Sequence, residues 1–211
     1  MASMLTKSAL DLTRDRVLRN LPTSRLVEHA LARGEGVLGN NGTLIVKTGD
    51  RTGRSPKDKY LEDTPDIHDN IWWGKVNQPI TSEGFDVLEE IALQYLSTLE
   101  TVYAFDGYVG ADPKYRLRSR TFTELAWHSL FVKTLFIEPE ASDLDGFSPD
   151  WTIINCGCRK LTEEEAARAG VAPTGICVAQ SLTRKVVLIF GTEYAGEMKK
   201  SLFYAMNYDM P

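Results

Sequence analysis

The sequence predicts an α/β domain in which a mixed β-sheet is flanked by helices. Three observations carry that expectation. Strand-like and helix-like hydrophobic patterns alternate along the chain, the order that builds stacked sheet and helix layers. The runs GICVAQSL at 175–182 and KVVLIFG at 185–191 are separated by Thr183 and Arg184 alone, so they pair as an antiparallel hairpin and exclude an all-parallel sheet. The length also suffices: 211 residues, 43% hydrophobic and 25% charged, make one or at most two domains with a full buried core.

The elements follow in order. Residues 1–23 read as a polar leader and 24–211 as one domain, because no repeat, low-complexity tract or Gly/Ser linker divides the rest. The segment MASMLTKSALDLTRDRVLRN has the Arg and Ser of an organellar presequence, but Asp11 and Asp15 argue against one; a structured or frayed helix is expected there. Ser24 caps a helix that stops at Gly34. After an Asn-Asn-Gly turn, TLIVKTG at 43–49 is a β-branched strand, and TVYAFDGYVG at 101–110 and WTIINCGC at 151–158 are two more. Apolar residues at three- and four-residue spacing predict helices over 82–97, 121–134 and 162–169.

Charge and cysteine usage narrow the function. Lys and Arg number 24 against 29 Asp and Glu, a net charge of -5, so the surface as a whole repels nucleic acid and anionic membranes. An anionic ligand must therefore be caught by local charge. No apolar run approaches the roughly 18 residues of a membrane span, and no secretory signal opens the chain. Cys156, Cys158 and Cys177 are too few and too odd in number for a disulfide framework, which places the chain in the reducing cytoplasm.

Several apparent motifs are decoys. Gly34 to Gly39 fits G-x-G-x-x-G, but it follows a helix and opens a strand, the reverse of what a dinucleotide's pyrophosphate requires. Asn41-Gly42-Thr43 is formally a sequon and reads as a tight turn. Cys156-Gly157-Cys158 has no Cys or His pair at zinc spacing to complete it, so buried strand thiols are expected. His29, His68 and His128 are scattered and read as structural or surface residues.

Two segments carry chemistry. KTGDRTGRSPKDKY at 47–60 sets Lys47, Arg51, Arg54, Lys57 and Lys59 against Asp50 and Asp58, a local charge of +3 in an acidic protein. Ser55 and Pro56 read as N-cap and first helical residue, so free N–H groups and the Arg54 fork converge on one point suited to a carboxylate or phosphate. A solvated basic loop is the alternative. The second segment, KVVLIFGTEYAGEMKKSLFYAMNY, is a strand, a turn and a helix with Lys199 and Lys200 near its start. Adjacent cations at a positive helix end favour a neutral amine, which serves as base, nucleophile or metal ligand. Two surface lysines balanced by Glu197 are the alternative.

RTGRSPKDKY and GTEYAGEMKKS, with YVGADPKYRLRSRTFTELAWHSLFVKTLFI and WTIINCGC between them, closely resemble the N-terminal portion of ATP-dependent phosphoenolpyruvate carboxykinase from about residue 24 onward. The resemblance implies that family's N-terminal-domain fold and its reaction: oxaloacetate and ATP give phosphoenolpyruvate, carbon dioxide and ADP, with Mn2+ and Mg2+. It implies that Arg54 holds a substrate carboxylate, that Tyr194 lies beside the departing carboxylate, and that Gly196 lets the backbone approach substrate. Lys200 would be a neutral-amine ligand of Mn2+ and would touch substrate, and Lys199 a charged neighbour of the enolate and phosphoryl oxygens. Glu197 receives no role. Asp209 stands where an apolar residue is expected in this family. No G-x-x-x-x-G-K-[ST] loop is found, so these residues alone are expected to be inactive, a fragment associating with the missing half or with a full-length subunit. A truncated interaction module and a standalone dicarboxylate-binding domain are the rival readings.

Overall fold

A computed structural model describes residues 15–210. Its strands are β1 (Val17–Arg19), β2 (Gly36–Leu38), β3 (Leu44–Val46), β4 (Lys59–Glu62), β5 (Gln78–Ile80), β6 (Val102–Val109), β7 (Leu117–Thr123), β8 (Trp151–Cys156), β9 (Cys177–Ser181) and β10 (Val186–Phe190). Its helices are α1 (Thr23–Ala32), α2 (Ser82–Thr98), α3 (Ala126–Leu135), α4 (Ala141–Leu144), α5 (Glu163–Ala169) and α6 (Gly196–Asp209). Eight strands form one sheet in the order β1-β6-β7-β8-β10-β9-β4-β5, and β2 pairs with β3 apart from it. The sheet is mixed: β6 with β7 and β10 with β9 are antiparallel, and the other neighbours are parallel.

Strand periodicity explains the layers. Successive side chains point to opposite faces. In β10, Val186, Leu188 and Phe190 enter a core with Phe85, Leu88 and Leu96 of α2, whereas Val187 and Ile189 enter another with Leu26 of α1, Val132 of α3 and Leu202 of α6. A strand apolar at every position is thus one buried on both faces. Each fully buried Val, Leu, Ile or Phe contributes roughly 1.5–3 kcal/mol.

The predicted hairpin is present, with Ser181 opposite Val186. Helices at 82–97 and 162–169 form as α2 and α5. Thr81 caps α2 through the Gly84 N–H, and a Thr162–Glu165 capping box starts α5. Gly34 to Gly39 does run from α1 into β2. The differences are local. Thr121–Thr123 belongs to β7, not to a helix: Thr and Phe alternate there with Phe122 in one core, and α3 begins at Ala126. Pro22, not Ser24, occupies the cap position of α1, without a side-chain bond. The strand read at 43–49 shortens to β3 and joins the small sheet. Segment 15–23, read as leader, supplies β1, which pairs with β6. Residues 1–14, where the rest of the leader falls, lie outside the described residues. Cys156 is buried as expected, and Cys177 is buried too, but Cys158 is exposed, because it follows β8 instead of lying in it.

Topology places one end of the sheet for chemistry. Since β9 runs against β10 and parallel to β4, the end of β10 and the starts of β9 and β4 share an edge. Gly191 turns the chain out of β10 with φ +69°, and a Cβ there would collide with the Gly175 carbonyl oxygen. No other residue fits that turn unstrained. The loop then leads into α6.

Candidate active site

The basic turn before β4 and the first two turns of α6 face each other across a cavity of about 350 Å³, a size suited to a small ligand. Arg54, Ser55, Lys59, Glu197, Lys200, Ser201 and Tyr204 are among its lining residues. Helical spacing explains the selection on α6. Positions 197, 200, 201 and 204 lie on one stripe, at intervals of three and four, while Met198, Leu202 and Ala205 turn to the core.

The same geometry separates the two candidate lysines. Neighbouring residues on a helix diverge by about 100°. Lys200 lines the cavity, its Nζ 5.0 Å from the Phe203 ring centre, whereas Lys199 lines neither this cavity nor the smaller one beside it. Both side chains are exposed. Tyr194 and Gly196 do not line the cavity either. The Tyr194 ring covers Gly196 so closely that a Cβ there would lie 2.5 Å from Cε1 and 3.0 Å from the hydroxyl. The space left by the missing side chain is filled by the phenol ring.

The expected helix after Arg54 is a three-residue 3-10 turn, Pro56–Asp58, too short to present an anion-binding terminus; Lys59 already begins β4. The Ser55 N–H is also taken. It donates to Glu197 Oε1 at 2.7 Å, between two buried residues 142 positions apart. Ser55 Oγ is buried without a partner. Burial raises the Glu197 carboxyl above its usual range, and the Ser55 amide, Arg54 and Lys59 oppose that rise. The proton affinity of Lys59 moves the other way. Burial lowers it to about 8, helped by Arg54 and resisted by Glu197. Its Nζ lies 3.5 Å from the centre of the Tyr204 ring and donates to Asn77 Oδ1 at 3.3 Å. Arg54, Lys59 and Lys200 thus place three cations and one carboxylate about a single hollow.

His128 supports this arrangement from beneath. It is fully buried, bonded through Nε2 to the Glu193 carbonyl oxygen at 2.8 Å, with Asn155 Nδ2 3.2 Å from Nδ1. Burial lowers its pKa to about 4, so the neutral ring donates to Glu193 and accepts from Asn155 near neutral pH. It holds the loop that carries Tyr194, the structural role expected of it. His29 bonds Tyr103 and His68 pairs with Asp63. The remaining basic residues diverge: Arg51 lines the smaller cavity with Asp50, Lys160 and Glu193, and Lys47 is exposed.

The structure brings Arg54 and Lys200 to one cavity, apart from Tyr194, Gly196 and Lys199, and adds Lys59 and Glu197, which the sequence reading did not name as partners. For Glu197 the signal was available, since Glu197, Lys200, Ser201 and Tyr204 form a polar stripe at helical spacing; for Lys59 it was not, because a helix was expected where the chain makes a three-residue turn and enters β4 at 59.

Such a fold and cavity define an α/β domain with a cavity lined by three cationic side chains and one carboxylate at one end of its sheet. The family model described as phosphoenolpyruvate carboxykinase matches residues 15–211, and the chain belongs to that family. It is 48% identical over 196 residues to "Phosphoenolpyruvate carboxykinase (ATP) 1" of Moorella thermoacetica and 44% identical over 210 residues to "Phosphoenolpyruvate carboxykinase (ATP)" of Geobacillus kaustophilus. These matches take in 92% and 100% of this chain but only 36% and 39% of the relatives. The chain therefore spans little more than a third of their length and corresponds to their N-terminal part. Among the described residues no helix is long and apolar enough to cross a membrane.

Proposed function

We propose that this chain is the substrate-side part of an ATP-dependent phosphoenolpyruvate carboxykinase, which converts oxaloacetate and ATP to phosphoenolpyruvate, carbon dioxide and ADP in gluconeogenesis, in the cytoplasm. The observation that carries the reading is the shared cavity of Arg54 and Lys200, since a dianionic substrate needs fixed cations from two elements. Arg54 grips one carboxylate by two parallel hydrogen bonds. Tyr194 and Gly196, just before and at the start of α6 but outside the cavity's lining, would lie beside the carboxylate that leaves. Lys200 faces the enolate, whose charge rises as carbon dioxide departs, and Lys199 adds positive potential from the next position on the helix. Lys59 joins them as a partly buried cation at the floor.

The family's divalent metal is a separate question of fit. Among the described residues no three His, Cys, Asp or Glu side chains are placed to hold a metal. At the cavity Lys200 offers one amine, and Glu197 is already engaged by the Ser55 amide. That donor set does not retain Mn2+ by itself, so Lys200 would be one ligand of a site completed by other residues, as would the Mg2+ and ATP positions. These 211 residues alone are therefore expected to lack turnover and to need the remaining part of the enzyme as partner.

Calorimetric titration of the chain with oxalate, a stable dicarboxylate, tests the reading. Binding that weakens at least ten-fold in Arg54→Ala supports it, the loss expected for one charged hydrogen-bonded contact of about 1.5–3 kcal/mol. Equal affinity in the two proteins removes Arg54 from the site. An ATP-coupled oxaloacetate decarboxylation assay on the same chain should stay at the spontaneous rate.

A further inference from the structure

We propose that Glu197 is a positioning residue: its carboxylate latches the Arg54 turn to α6 and so sets where the Arg54 side chain stands in the cavity. The proposal rests on the reading of that cavity as the substrate pocket. The Ser55 N–H belongs to the same planar peptide unit as the Arg54 carbonyl. Fixing that amide at 2.7 Å from Glu197 Oε1 fixes the plane through which the Arg54 Cα is joined to the turn. The later residues of the turn are held separately, the Gln78 side chain donating to the Lys57 carbonyl oxygen at 2.7 Å and the Thr174 hydroxyl to Asp58 Oδ1 at 2.8 Å, so at its Arg54–Ser55 end the Glu197 contact is the tie to α6. The turn's 3-10 helix is three residues long, its N-cap makes no side-chain bond, and Ser55 Oγ is unpartnered.

Position and charge both suit the role. Glu197 lies in the first turn of α6, one turn before Lys200, so a single rigid helix carries the latch and the second cation. The carboxylate is 7% exposed and sits within the fields of Arg54 and Lys59, which oppose the effect of its burial. The charged groups that bear on it are Arg54 and Asp58 from the turn and Lys59 from β4; Lys200 comes from its own helix. An anion in an anion-binding pocket is unfavourable for affinity taken alone. Its presence is explained if the geometry it enforces outweighs the repulsion it adds.

Two conservative variants separate geometry from charge. Glu197→Gln keeps an oxygen at the same reach and removes the charge. Glu197→Asp keeps the charge and withdraws it by one methylene. Oxalate affinity measured by calorimetry on the full chain should therefore move in opposite directions: a few-fold tighter in Glu197→Gln, where a repulsive charge is lost, and about ten-fold weaker in Glu197→Asp, where the amide bond is broken. Any other order of the two affinities, including equal losses or no change in either, overturns the proposal. Two readouts do not depend on binding. Ser55 amide exchange should accelerate in Glu197→Asp and not in Glu197→Gln. The Lys59 titration, followed by NMR at its Cε methylene, should fall below about 8 in Glu197→Gln because the counter-charge that raises it is gone, a change that mere packing by Glu197 would not produce. If the unmodified chain fails to bind oxalate, the substrate-pocket reading falls, while the amide and lysine measurements still decide whether Glu197 holds the turn.

Discussion

Replacing Lys59 with methionine should make the fold more stable and the cavity a poorer anion site. Burial holds the Lys59 ammonium at about 8 instead of the usual 10.5, a difference worth about 3 kcal/mol. Below pH 8 the lysine is charged in both the folded and the unfolded chain, and the fold bears the full cost of burying it. As pH rises the folded lysine loses its proton first. Between about 8 and 10.5 the unfolded state binds more protons, so stability rises through that window, and roughly 2 kcal/mol is recovered by about pH 9.5. Methionine fills a similar volume and has nothing to titrate. Burial pushes the thiols of Cys156 and Cys177 up, which acts in the opposite sense above pH 9, but equally in both proteins. The difference between them isolates Lys59. Urea unfolding should find Lys59→Met more stable by about 2–3 kcal/mol at pH 7, with the gap closing to about 1 kcal/mol near pH 9.5. Oxalate affinity should fall at the same time, because stability given up at this position serves binding. A gap that stays constant across that pH range would refute the claim that the cost is electrostatic.

Three further outcomes follow from the same coordinates. His128 is held neutral with a pKa near 4, so the unfolded chain takes up its proton first as pH falls below about 6.5. Urea unfolding should show about 2–3 kcal/mol of stability lost to this group between pH 7 and 4.5, and a His128→Gln variant should lack that component. Asp106 is wholly buried and bonded to Arg120 at 2.6 and 2.7 Å and to Arg19 at 2.8 Å; Asp106→Ala strands two guanidinium groups and should cost about 3–5 kcal/mol by denaturant titration. Gly196→Ala drives a methyl into the Tyr194 ring, whose far end can swing away. Its unfolding free energy should change by no more than about 1 kcal/mol, as alanine favours the helix, while the Tyr194 ring resonances shift.

Legibility differed by element. α2, α5 and the β9–β10 hairpin were plain because each advertises its period, its caps or its two-residue connection in a contiguous stretch. β1, β4 and β5 span only three or four residues each and gain their place from neighbours distant in sequence; three residues carry no period. The last three residues of β7 were read as helix because Thr121–Thr123 runs directly into the amphipathic stretch of α3, and only the pairing with β6 and β8 shows where extended backbone ends. At the site, the chemical types of Arg54 and Lys200 were visible as a local basic run and a lysine pair. Which of two adjacent lysines turns inward was not, since that depends on which face of α6 the core claims.

Local patterns in the chain by themselves determined that a mixed sheet would carry helices on its faces, that positive charge would gather at 47–60, and that a lysine pair would sit early on the last helix. Those are matters of hydrophobic period, charge count and capping, all written within a few residues of one another. The folded chain alone decided that Glu197 reaches the Ser55 amide, that Lys59 shares the hollow with Arg54, and that Lys199 stands aside. Each of those depends on contacts between segments more than a hundred positions apart, or on the one rotation of α6 that buries Met198, Leu202 and Ala205, and no local pattern encodes either.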